Sequence, residues 1–157
     1  SGWVGEWKPC TLGTTPVPAG SWWWQCDVRE PTRPSDFYIA DFSSREHAGQ
    51  DLDVAAPGTW VVGPFQLQRG QPSYFFLGGT SMAAPHVTGT VALMLQKNKA
   101  LSQSQAESIL ENTAIDIAAG CRDVVNPNTG AEEEICWGAD ATGEGLLDAE
   151  AAVAATP

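Results

Sequence analysis

The apolar positions of this chain fall into short runs before residue 80 and into helical spacing after it. Phe37-Tyr38-Ile39-Ala40, Leu52-Asp53-Val54-Ala55, Trp60-Val61-Val62 and Tyr74-Phe75-Phe76-Leu77 are brief runs bounded by turn residues at Gly49, Pro57-Gly58, Gly63-Pro64 and Gly70. Such runs predict short strands. From about Ser81 to Lys97 the pattern predicts one long helix. Its Thr88-Gly89-Thr90 is unusual for a surface helix, since Gly lowers helicity by about 1 kcal/mol relative to Ala; small residues there predict a helix buried on all sides. Ser102-Gln103-Ser104-Gln105 is an S-x-x-Q capping box. It opens a second helix towards Thr113, with Ala106, Ile109, Leu110 and Thr113 on one face. A last helix is predicted from about Leu146 to Ala155, packing through Leu146, Leu147, Ala149 and Val153.

Two stretches break this rhythm. Residues 1–35 are rich in Pro, Gly and Trp and predict a looped region. The triplet Trp22-Trp23-Trp24 cannot face one side of a strand; it is either a platform for substrate or sugar or a packing surface for another element. Residues 118–142 form a second loop, longer than a compact connection needs. Each stretch holds a local cysteine pair, Cys10 with Cys26 and Cys121 with Cys136. The spacing favours two local disulfides among the three possible connectivities, each worth about 3 kcal/mol in the chain-entropy model. Zinc is the competing reading, against which stand the absence of C-x-x-C spacing and of a histidine nearby.

Charge narrows the partners. With 19 acidic against 8 basic residues the formal net charge is −11, which argues against nucleic acid, whose binding needs a basic face. No apolar run approaches the length of a membrane span. Disulfides predict an oxidising, secreted or extracellular setting. The run Glu132-Glu133-Glu134 fits a solvated patch better than a calcium site; calcium is possible, but no site is assignable and no metal ligand is nominated. The chain begins with Ser1 and shows no basic and apolar leader, so any signal peptide and propeptide are expected outside it.

The most specific chemistry lies in Gly79-Thr80-Ser81-Met82-Ala83-Ala84-Pro85-His86-Val87. Gly78 and Gly79 let the backbone turn sharply after an apolar run and deliver Ser81 to the mouth of a helix. Unpaired N–H groups and the positive end of the helix dipole suit a forming oxyanion there. Pro85 fits, because a proline in the first turn removes only an N–H without an intrahelical partner. Ser81 is thus the candidate nucleophile.

This motif resembles that of the subtilisin-like serine proteases, or subtilases. Asp41-Phe42-Ser43-Ser44 and residues 51–58 resemble the segments before the serine; residues 101–114 and 143–149 resemble those that close the catalytic domain. The likeness covers about residues 36–118 and 143–155. It implies an α/β fold, the C-terminal part of a three-layer domain with a central, mainly parallel sheet and a long buried helix starting at the serine. It also implies peptide-bond hydrolysis through an acyl-enzyme. Ser81 would serve as nucleophile, the Thr80–Ser81 turn and the Ser81 N–H would form part of the oxyanion site, and Gly78 and Gly79 would border substrate. Residues 1–35, which match the family poorly, are expected to be an insertion.

The resemblance also exposes what is missing. The family places its Asp and His motifs and its oxyanion Asn before the serine, and this chain has none of them; Asn98, Asn112, Asn126 and Asn128 all follow Ser81. His86 lies five residues into the helix, where its side chain points along or behind it, and His47 sits in a polar turn. An α/β-hydrolase would need a histidine after the serine and its acid, and none follows His86. A chymotrypsin-like enzyme would need a different serine context. The chain therefore resembles the serine-bearing part of a catalytic domain, inactive alone and partnered by the missing N-terminal half and by a peptide or protein substrate. Two other readings stand beside it: a non-catalytic relative that binds peptides or proteins, and a purely structural secreted domain, which leaves the serine motif unexplained.

Overall fold

The computed structural model describes residues 11–12, 15–16, 37–59, 61–125 and 131–157. In chain order the elements are β1 (Thr11–Leu12), β2 (Thr15–Pro16), β3 (Val61–Gln68), β4 (Gln71–Leu77), α1 (Thr80–Lys97), α2 (Gln103–Thr113), β5 (Gly120–Val125), β6 (Glu132–Trp137) and α3 (Ala149–Ala155), with a 3-10 turn at Ala139–Ala141. The Cys10–Cys26 pair and the tryptophan triplet lie outside the described residues.

Among the described residues the strands form three antiparallel pairs, β1 with β2, β3 with β4 and β5 with β6. Parallel pairing there is confined to one bridge, Ala55 with Leu146. Residues 37–40, expected as a strand, form no ladder, and residues 52–55 form only bridges at Val54 and Ala55. The physical reason is local: a hairpin closes on its own neighbour in sequence, whereas a parallel strand needs a partner brought by a long crossover. Residues 118–142, expected as a loop, contain the β5–β6 hairpin, across which Cys121 and Cys136 are register partners joined by a disulfide.

The helices follow their sequence signals closely. Ser102 caps α2, its hydroxyl accepting the Gln105 N–H while the Gln105 side chain accepts the Ser102 N–H. The predicted last helix is shorter than its apolar pattern. It starts at Ala149 because Asp148 caps it through the Ala151 N–H at 2.8 Å, and the backbone of Leu146 and Leu147 is already bonded elsewhere. Met94 of α1 is fully buried with Leu101, Ala106, Leu110 and Ala152. Lys97 donates to the Val153 and Ala154 carbonyls at 2.9 and 3.0 Å, satisfying the end of α3.

α1 is not buried on all sides. It buries Ala83, Thr90 and Met94, while Leu93 and Leu95 are 51% and 39% exposed and a Cβ on Gly89 would meet open space. The described residues cover one flank of this helix, through α2 and α3, and leave the other bare.

A seam of backbone hydrogen bonds ties the distant segments together. The Glu144 N–H donates to the Asp53 carbonyl, the Ala55 N–H to Gly145, the Leu147 N–H to Ala55, and Ile115 and Leu146 exchange a reciprocal pair, all at 2.8–2.9 Å. Ile39, Ala55, Ile117, Ala141 and Leu146 bury around it. Gly145, at φ +128°, lets the chain pass so close to Ile115 that a Cβ would run into the Ile115 carbonyl. Gly145→Ala is expected to cost about 2–3 kcal/mol, read as a lower urea midpoint at unchanged m-value; an unchanged midpoint would contradict the close approach.

Candidate active site

β4 ends at Leu77 and α1 begins at Thr80, so only Gly78 and Gly79 separate strand from helix. Gly79 makes the corner. Its φ of +154° and ψ of 159° are open to glycine and costly for other residues. Its N–H donates to the Gly58 carbonyl at 2.7 Å, and its own carbonyl accepts the Met82 N–H at 2.9 Å. The corner is therefore clamped from outside by the Pro57-Gly58 segment and from inside by the first helical turn. Gly58 is a positioning residue that the motif alone does not reveal; its signal is the turn dipeptide Pro57-Gly58.

Ser81 is the second residue of α1 and is exposed. Gly79 already engages the Met82 N–H, and helix geometry leaves the Thr80 and Ser81 N–H groups without intrahelical acceptors. α1 has no acidic residue in its first turn, so the positive end of its dipole is not neutralised by its own side chains.

Among the described residues no histidine or carboxylate hydrogen-bonds the Ser81 hydroxyl. His86 Nδ1 lies 2.8 Å from the Met82 carbonyl, one turn back along its own helix. His47 sits in an exposed turn closed by bridges with Gln50. Neither of two surface concavities reaches the serine: one of about 620 Å³ is walled by Glu46, His47, Asp51 and Asp140, and one of about 540 Å³ by Phe37, Ile117, Arg122 and Trp137.

A profile of the subtilase family matches residues 15–147. The chain belongs to the subtilase family. It is similar to Subtilisin DY of Bacillus licheniformis, 42% identical over 78 residues, half of this chain and 26% of the relative. It is also similar to an extracellular protease of Xanthomonas campestris pv. campestris, 32% identical over 117 residues, 72% of this chain and 17% of that protein. Among solved structures, fervidolysin from Fervidobacterium pennivorans, titled a keratinolytic enzyme related to subtilisin, aligns with TM-score 0.55 and 32% identity over 77% of this chain and 17% of its own. A protease from Pseudoalteromonas arctica aligns with TM-score 0.51 and 31% identity over 68% of this chain and 30% of its own. This subtilase chain thus spans about a quarter or less of the length of these two curated relatives, and the solved relatives are α/β proteases.

The negative charge of this subtilase chain is unevenly borne. Glu111 on α2 has its carboxyl held above the usual carboxylate range, first by partial loss of solvent and then by repulsion from Asp53, Asp51, Glu107 and Glu144. A raised carboxyl disfavours the folded state once ionised, so the penalty is present at neutral pH and vanishes when pH falls below the unfolded value. Glu111→Gln is expected to raise the melting temperature at pH 7, with the gain shrinking in added salt and disappearing below about pH 4. An equal gain at pH 3 and pH 7 would show that charge is not its source.

Proposed function

We propose that the intact protein is a secreted or extracellular serine endopeptidase and that this chain supplies its nucleophile, Ser81. The observation that carries this reading is the exposed hydroxyl of Ser81 on a two-glycine corner at the N-terminus of α1, in a chain of the subtilase family. A base from the remainder of the catalytic domain takes the Ser81 proton, and Oγ attacks the peptide carbonyl. The Ser81 N–H donates to the oxyanion, with Thr80 shaping the turn and Gly78 and Gly79 bordering the substrate backbone. The same base returns the proton to the departing amine, and water then hydrolyses the acyl-enzyme. An oxyanion asparagine from the missing part would add about 3 kcal/mol of transition-state stabilisation.

The bare flank of α1 supports the same reading. Leu93, Leu95 and Gly89 lie on the helix that carries Ser81 in its first turn, and the natural cover for them is the part of the domain that holds the acid, the base and the mainly parallel sheet. The substrate cleft then forms where the two parts meet. The isolated chain is expected to be inactive.

Ser81→Ala in the full-length product is expected to lower kcat roughly 10⁶-fold, the scale seen for nucleophile removal in subtilisin itself, without altering the melting temperature by more than a degree or two. Retained proteolysis would assign the chemistry elsewhere. Gly89→Ala separates the two states of α1. In the isolated chain it should be neutral or stabilising by up to about 1 kcal/mol, whereas in the full-length protein it should lower the melting temperature by crowding a covered face. The same stabilisation in both would mean that nothing packs there.

A further inference from the structure

Behind the Ser81 corner lies a buried hydroxyl without a bond. The Gly58 carbonyl that accepts the Gly79 N–H at 2.7 Å belongs to a buried residue, and its neighbour Thr59 is 5% exposed. Thr59 Oγ1 is shielded from solvent and has no hydrogen-bond partner among the described residues. Valine has nearly the same shape and no hydroxyl to leave unpaired, so packing alone gives no reason for threonine here. The polar group beside it is the Tyr38 phenol. Ile39 and Ala55 bury in one cluster, which places the chain at residue 38 next to the segment that runs on to Gly58. Tyr38 is 3% exposed and is backed by Val124, Ile135 and Trp137 of the β5–β6 hairpin. Burial raises the pKa of the phenol, and the adjacent Thr59 hydroxyl works against that rise. Two buried hydroxyls therefore stand side by side, short of the geometry of a hydrogen bond.

We propose that Thr59 and Tyr38 are positioning residues for the Ser81 corner, their hydroxyls closing into a hydrogen bond, Thr59 donating to Tyr38 Oη, as the corner reaches its reacting geometry in the complete domain. The inference rests on the reading of Ser81 as the nucleophile. Hydrogen bonds that serve catalysis are often long in the unliganded state and tighten with substrate in place. Closing this one fixes the peptide that carries the Gly58 carbonyl. Through the Gly79 N–H it also fixes the turn on which the Ser81 Oγ stands. Tyr38 can bear that load because the hairpin behind it is joined across its strands by the Cys121–Cys136 disulfide. A bond absent at rest and made on the way to the transition state raises kcat without tightening the ground state. An orphaned hydroxyl beside a strained glycine corner fits that use, since native structures keep such features where function requires them.

The test compares Thr59→Val, Tyr38→Phe and the double variant with the wild-type full-length protein. Four quantities are read: kcat and KM on a chromogenic peptide, the rate of fluorophosphonate labelling at Ser81, and the melting temperature. Thr59→Val is expected to lower kcat and the labelling rate on the order of 10-fold, within the 10²-fold that a misplacement of about 1 Å can cost. KM should stay unchanged and the melting temperature should be equal or higher, because the orphaned hydroxyl is gone. Tyr38→Phe should lower kcat to the same extent, the double variant should lose no more than either single one, and Thr59→Ser should keep the wild-type rate. Unchanged kcat in Thr59→Val, or losses that multiply in the double variant, would overturn the inference. So would a loss of kcat that tracks a lowered melting temperature and is not rescued by Thr59→Ser. Failure of Ser81 to label in the wild-type protein removes the nucleophile reading and this inference with it, whereas labelling of the variants at the wild-type rate removes this inference alone.

Discussion

The structure depends on the seam in which residues 143–147 are stitched between residues 53–55 and Ile115. Backbone hydrogen bonds run to both neighbours, and only glycine at 143 and 145 lets the strands of the seam approach so closely. Both ends of α1 are fixed by what leaves this seam. Three residues beyond Ala55, the Gly58 carbonyl holds the Gly79 N–H and so sets the corner before Ser81. Just beyond Leu147, α3 begins, packs Ala152 against Met94 and receives the Lys97 ammonium on its last carbonyls. A helix pinned at both ends holds its first turn steady, which is what a nucleophile on that turn requires.

Among the described residues that same helix is covered on one side only. α1 is pinned by one flank, and its other flank carries leucines in solvent. The exposed leucines and the lack, among the described residues, of a histidine or carboxylate bonded to the Ser81 hydroxyl are both features of this one helix.

The serine motif, the capping box and the span of α1 were legible because each is set locally: a two-glycine corner, a hydroxyl three residues before a glutamine, apolar positions at helical spacing up to Lys97. What escaped the sequence was set by partners distant in the chain. The helical spacing over residues 146–155 extends across Leu146 and Leu147, yet their backbone groups are taken by Ile115 and Ala55, so the helix waits for Asp148. Residues 118–142 lacked a clean strand pattern because the outward face of the hairpin holds cysteines and acids. Thr88-Gly89-Thr90 pointed to full burial, and the described structure gives it on one flank only. Gly58, the clamp on the corner, looked like an ordinary turn residue.

The account stands on Ser81 being an activatable nucleophile whose base lies in the rest of the domain. Labelling with a fluorophosphonate probe, followed by peptide mapping, measures this directly. The account predicts no adduct on the isolated 157-residue chain and a single adduct on Ser81 of the full-length protein. An adduct on Ser81 in the isolated chain, or an adduct on another serine in the full-length protein, would contradict it.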